Sequence, residues 1–164
     1  MSPIDIVILL VFIPFIIGGI KNGFMVQATS LVALVAGAWL AFRFSSLLSS
    51  WLAPYIGVSS QVLNIISFAV IMIVSILLLA LVGRGLKAVV KLALLGWLDK
   101  TLGALLAIVK VALILGIAII LFTHLNARFS WVEKEVLDSS LLYNPLKELA
   151  YAIFPYFKEL IAQV

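Results

Sequence analysis

The chain has 164 residues, of which 65% are hydrophobic and only 11% are charged, and its mean hydropathy is +1.31. A soluble domain of this size needs more charged side chains to cover its surface, so soluble enzymes, nucleic-acid-binding domains and disordered tails are excluded. The net charge of +4 predicts basic residues at a membrane surface, where they set orientation and meet anionic headgroups. With no cysteine, disulfides and thiolate metal sites are also excluded. The composition predicts an integral membrane protein.

Two apolar segments at the start of the chain predict two membrane-spanning helices. The first covers about residues 4–20, begins beside Asp5 and ends at Gly19 and Lys21. The second covers about residues 23–42 and carries small residues at every fourth position, which are Ala33, Gly37 and Ala41. This spacing is typical of helices that approach each other closely.

A third span is predicted at about residues 62–82, after a segment in which serines, Pro54 and Gly57 indicate an interfacial loop. Residues 84–97 then predict a short amphipathic helix. Its cations share one face of a helical wheel and its apolar residues lie opposite; the cations are Arg84, Lys87 and Lys91. We expect this helix to lie on the membrane surface and to attract anionic lipid.

The fourth span is predicted at about residues 101–123, with Lys110 in its middle. Two pairs of small residues on it again indicate close helix packing; they are Gly103 with Ala107, and Ala112 with Gly116. Residues 128–164 hold half of all charges, and their apolar residues recur at helical spacing. This predicts an amphipathic tail, with a helix starting at Asn144 and Pro145 and kinked at Pro155, that lies on the membrane or closes one face of the bundle.

The fold class predicted is therefore an all-α integral membrane protein. Residues 1–127 form a domain of four transmembrane helices with an interfacial helix between the third and fourth, and residues 128–164 form the helical tail. Basic residues near the span ends favour hairpins that face the cytoplasm and termini that face outside.

Lys110 is the charged residue predicted to lie deepest, about 16 Å along the helix from Asp99. A lysine in the membrane costs about 2.5 to 3.5 kcal/mol, so its side chain should face the bundle, pair with a polar group or extend to the surface. The polar groups of the second span at a similar depth are Gln27, Thr29 and Ser30. Both a functional role, such as binding an anion or a proton, and a structural pairing fit this position.

No arrangement of residues in the sequence predicts catalysis. Asp5 and Asp99 lie at opposite ends of the predicted bundle, and Asp99 is expected to cap the start of its own helix. His124 is the single histidine and lacks clustered acids, so no metal site is predicted. We therefore expect no enzymatic activity and no cofactor.

Two short motifs carry a resemblance to a known family. The first is an aspartate at the start of a short apolar helix, a glycine at its end, and a basic residue, glycine and phenylalanine that open the next helix; here these are Asp5, Gly19, Lys21, Gly23 and Phe24. The second lies in the fourth span and comprises Asp99, Lys100, Leu102, Gly103, Ala104 and Lys110. The chain resembles the colicin V production protein (CvpA) family of small bacterial inner-membrane proteins. It departs from the family pattern at Gln27, where an acid is frequent, and at Ala107, where a glycine is frequent.

The resemblance implies a location in the bacterial inner membrane and a role in colicin V production or export and in envelope maintenance, without an established chemistry. We accordingly predict a non-enzymatic accessory or scaffold protein. It would act through helix contacts with itself or with a membrane partner, in the lipid bilayer and without nucleic acid. The alternative is a subunit of a small homo-oligomeric channel or transporter that uses Lys110.

Overall fold

A computed structural model describes residues 2–87 and 96–155 of the chain, and these residues are almost entirely helical. They form five helices, which are α1 (Pro3–Leu52), α2 (Ser60–Lys87), α3 (Gly96–Phe129), α4 (Lys134–Asp138) and α5 (Tyr143–Ile153). The first three are long and apolar enough to cross a membrane. The prediction of an all-helical, multi-pass membrane protein agrees with this arrangement.

Helix α1 is broken once, at Gly23, whose φ of 74° and ψ of 177° are not helical. The break divides α1 into a first arm, residues 3–22, and a second arm, residues 24–52. At 1.5 Å per residue the arms are about 30 and 43 Å long, and the hydrocarbon core of a bilayer is about 30 Å thick. Each arm is therefore long enough to cross the membrane.

The second arm continues well beyond residue 42, where the second span was predicted to end, because its serines do not break the helix. The hydroxyl of Ser49 donates a hydrogen bond to the carbonyl of Ser46 at 3.0 Å, and that of Ser50 donates to Leu47 at 2.8 Å. Serine hydroxyls satisfied in this way by the preceding turn can remain in a helix. The predicted interfacial loop is consequently shorter and covers only residues 53–59.

Contacts divide the chain into two units, and the described residues of the second unit are 28–87 and 96. In it, the second arm of α1 contacts α2 at Gly37, which belongs to a stripe of small residues. The stripe is buried at every fourth position; its members are Ala33, Gly37, Ala41, Ser45 and Ser49. A Cβ on Gly37 would lie 2.8 Å from Cγ1 of Ile76, so the two helices are in close contact at this position.

The C-terminal end of α2 differs from the prediction. Helix α2 continues through Arg84 to Lys87, where a separate interfacial helix over residues 84–97 was expected to begin. No proline interrupts this part of the sequence, and the backbone hydrogen bonds of α2 therefore continue past the apolar segment. Lys91 and its neighbours in residues 88–95 lie outside the described residues.

The described residues of the first unit are 2–27 and 97–155, and they contain the first arm of α1, α3, α4 and α5. Its core draws on all of these elements; the buried members are Ile8, Ala112, Ile119, Leu137, Tyr143 and Leu146. Up to residue 155, the predicted tail is thus packed into the unit. Helix α5 ends at Ile153, before the predicted kink at Pro155, because a proline disfavours helical backbone in the residue that precedes it.

Candidate functional site

The break in α1 is stabilised by a carboxylate from α3. Oδ1 of Asp99 accepts a hydrogen bond from the backbone N–H of Phe24 at 2.8 Å. A Cβ on Gly23 would overlap this carboxylate, and the positive φ of Gly23 is one that other residues rarely adopt. Asp99 therefore caps the second arm of α1, in addition to lying in the first turn of its own helix.

The first arm and α3 are in backbone contact just beyond this junction. A Cβ on Gly19 would lie 2.6 Å from Cβ of Ala107 and 2.7 Å from the carbonyl oxygen of Gly103. A Cβ on Gly103 would in turn lie 2.6 Å from the carbonyl oxygen of Gly19 and 2.7 Å from the carbonyl carbon of Gly23. Two glycines face each other, and the helices can approach this closely only without side chains there.

Lys110 connects three segments of the first unit. Its Nζ donates a hydrogen bond to Oε1 of Gln27 at 2.5 Å and lies 5.8 Å from the centroid of the Phe15 ring. On an unbroken helix, residues 15 and 27 would be about 18 Å apart. The turn at Gly23 brings both to the same ammonium group, so the first arm, the start of the second arm and α3 share one cation.

Asp5 forms a second polar cluster, at the other end of the first arm, with only 1% of its surface exposed. Its carboxylate accepts hydrogen bonds from the hydroxyl of Ser140 at 2.6 Å and from the backbone N–H groups of Ser2, Leu141 and Leu142 at 3.0, 3.3 and 3.1 Å. Leu142 is the N-cap residue of α5. Asp5 thus binds the start of α5, where backbone N–H groups favour a negative charge.

The other residues singled out in the sequence take varied positions. Lys21 and Lys100 are exposed, and Arg84 and Lys87 lie in the last turn of α2. Ala112 is buried in the first unit. A Cβ on Gly116 would lie 2.7 Å from Cβ of Ala150, so the second pair of small residues on α3 adjoins α5.

Sequence reasoning named Gln27 as a polar group within reach of Lys110 but did not identify Phe15 or Ser140. The only signal for Gln27 was an amide in an apolar segment. Phe15 gives no signal, because a phenylalanine in a membrane span ordinarily contacts lipid or core. Ser140 lies 135 residues from its partner Asp5, and no local pattern relates positions so far apart.

These polar groups hold helices of the first unit together. Asp5, Asp99 and Lys110 each bond to a different helix or to the start of one, at separate places along the first unit. Within residues 2–87 and 96–155, no three histidines or acids come together as metal ligands.

Comparison with known proteins gives one match. Neither the curated proteins nor the solved structures match the chain. The family model described as colicin V production protein matches residues 4–151. That range includes both arms of α1, α2, α3 and most of α5. The chain therefore belongs to the colicin V production protein family.

Proposed function

We propose that this protein is a non-enzymatic accessory protein of the bacterial inner membrane that supports the production or export of colicin V and the maintenance of the envelope. Its family membership supports a role in colicin V production. The role as a scaffold is supported separately, by the contacts that the polar side chains make between helices.

The scaffold role is supported by the hydrogen bonds that Asp5, Asp99 and Lys110 make within the chain. Each of these side chains bonds to a neighbouring helix or to the start of one. A transporter keeps polar groups at the membrane midplane for its substrate, and here Lys110 is bound by Gln27. These contacts stabilise one arrangement of the helices. A fixed arrangement is what a protein needs if it acts by presenting a surface to a partner.

The proposed topology has four crossings, made by the two arms of α1, α2 and α3. Lys21 and Lys100 are exposed close to the Gly23 junction, and basic residues near the ends of spans favour the cytoplasmic side. Five basic residues lie near span ends on this side, against three on the other; they are Lys21, Arg84, Lys87, Lys91 and Lys100, against Arg43, Arg128 and Lys134. The hairpin at Gly23 then faces the cytoplasm and Asp5 faces outside.

The experiment that tests this function uses a colicin V-producing strain that lacks its own family member. Expression of this chain should restore colicin V in the medium, measured by its killing of a sensitive strain. Chemical crosslinking in native membranes, followed by affinity capture of the chain, should recover one reproducible membrane partner or a second copy. Normal colicin V release without the chain, or an absence of any crosslinked species, would contradict the proposal.

The small-residue faces give a reason to prefer the scaffold over a homo-oligomeric channel. Glycines that could bring copies together around a pore are already in contact within the chain: Gly37 with α2, Gly19 with Gly103, and Gly116 with α5. Liposome flux separates the two functions. An ion flux that Lys110→Met abolishes, at unchanged protein content, would favour the channel.

A further inference from the structure

Helix α5 changes in polarity along its length. Its first half carries Asn144, Lys147 and Glu148, and residues 149–154 contain no charge and only one polar side chain, the phenol of Tyr151. A surface helix of a soluble protein keeps a polar face along its whole length. The last part of α5 has no such face.

The contacts of α5 with α3 show which end of it lies deeper in the helical bundle. At its start, the hydroxyls of Tyr143 and Thr123 are 2.6 Å apart. Further along, a Cβ on Gly116 would lie 2.5 Å from the carbonyl oxygen of Leu146 and 2.7 Å from Cβ of Ala150. Thr123 and Gly116 are about 10 Å apart along α3. Helix α5 therefore runs back along α3, from the end of its apolar segment toward its middle.

The outward side of α5 is apolar at that depth. Tyr143, Leu146 and Ala150 face the core and are buried, but Leu149 and Ile153 are 39% and 43% exposed. Ala152, between them, is also exposed. An aliphatic surface beside the middle of a membrane-length helix requires an apolar neighbour, and hydrocarbon chains supply one.

Lys147 is oriented as expected for a helix whose second half is inserted in a membrane. Its Nζ lies 5.5 Å from the centroid of the Tyr143 ring, which places the ammonium back toward the start of α5. Lysines near the end of a membrane-inserted helix extend toward the headgroups in this manner, with the aliphatic stem covering apolar surface. The charge is thereby kept on the same side as the Asp5 cluster.

We propose that α5 is a re-entrant helix that enters the bilayer beside the Asp5 cluster and reaches about 10 Å toward the middle of α3. Its outward surface, formed by Leu149, Ala152 and Ile153, contacts lipid acyl chains. The carboxylate of Asp5 fixes the point of entry through its bonds to Ser140, Leu141 and Leu142. This inference is independent of the role in colicin V production.

The absence of native cysteines allows a direct measurement of depth. The full chain carrying Ile153→Cys or Leu149→Cys is labelled with an environment-sensitive fluorophore. It is then reconstituted in vesicles of phosphatidylethanolamine and phosphatidylglycerol that contain lipids spin-labelled near the headgroup or near the end of the acyl chain. Leu141→Cys, 71% exposed just before α5, is the shallow reference, and Ile13→Cys, 52% exposed on the first arm, is the deep reference.

For a re-entrant helix, the ratio of deep to shallow quenching increases from position 141 to 149 and again to 153. Position 153 should then lie closer in its ratio to position 13 than to position 141. Equal ratios at 141, 149 and 153 would mean that α5 lies flat on the surface, and an absence of quenching at 153 would mean that it lies in water; either result overturns the proposal. All four positions are exposed, so the variants should fold, and the helical content of each is checked by circular dichroism.

Discussion

The carboxylate of Asp99 lies where a side chain at position 23 would be, and it accepts the N–H of Phe24 at 2.8 Å. A residue in the first turn of α3 thus caps a helix that begins 75 positions earlier in the chain. Gly23 and Asp99 act together as a helix cap, because the absence of a side chain at Gly23 leaves the space that the carboxylate fills.

Removal of this cap should destabilise the first unit. We expect Asp99→Ala to lower the free energy of unfolding by about 1 kcal/mol, as is usual for a lost helix cap, and Asp99→Asn to lower it less because the amide oxygen still accepts the Phe24 N–H. Thermal unfolding in detergent micelles measures both. Gly23→Ala should also destabilise the unit, because its Cβ would overlap the Asp99 carboxylate. Gly57→Ala is its control, since a Cβ on Gly57 meets nothing within 4 Å. Asp99→Ala with wild-type stability would refute the role of the cap.

Two adjacent glycines of the first arm should respond oppositely to alanine. A Cβ on Gly18 has its nearest neighbour at 3.9 Å, so Gly18→Ala should be neutral or stabilise by up to about 1 kcal/mol through the higher helix propensity of alanine. A Cβ on Gly19 would lie 2.6 Å from Cβ of Ala107, so Gly19→Ala should force the arm away from α3 and cost about 1 to 3 kcal/mol. Similar unfolding temperatures for the two variants would show that the close approach is not required.

Lys110 and Gln27 should be energetically coupled. In a double-mutant cycle of Lys110→Met and Gln27→Met we expect a coupling free energy of about 0.5 to 2 kcal/mol, because each single change removes the same hydrogen bond. Denaturation in mixed micelles gives the four unfolding free energies.

The same two variants also separate a structural from a chemical role of Lys110. If the lysine acts as a helix contact, colicin V release should fall in both variants in proportion to the amount of folded protein in the membrane. If Lys110→Met alone abolished release while its level matched that of Gln27→Met, a direct role for the ammonium group would be indicated.

The contact between Asp5 and the start of α5 should protect the segment before α5 from proteases. Asp5→Ala leaves the N–H groups of Leu141 and Leu142 without their carboxylate, so limited proteolysis around residues 139–142 should become faster. Ser140→Ala removes one of the bonds and should have a smaller effect. Asp138→Asn, an exposed acid close to this segment, is the matched control and should leave the cleavage rate unchanged. Equal rates for Asp5→Ala and Asp138→Asn would contradict the contact.

Several features of the fold followed from local pattern. Apolar runs and the charges between them predicted helices near residues 4–20, 62–82 and 101–123, and all three ranges lie within α1, α2 and α3. The end of the second arm was less predictable. Serine clusters usually mark loops, but Ser45, Ser49 and Ser50 donate to carbonyls of the preceding turn and stay helical.

Hydropathy, charge spacing and short motifs are properties of neighbouring residues, and they were sufficient to identify the solvent, the class of fold and the family. The sequence also marked Lys110 as unusual, because an ionisable group in an apolar segment is costly, and it singled out Asp5 and Asp99 as members of the two short motifs. The bonding partner of each of these three residues depends on the tertiary structure. Their partners Ser140, Phe24 and Gln27 lie 135, 75 and 83 positions away. Hydrogen bonds over such separations depend on how the helices pack, which is a property of the whole unit.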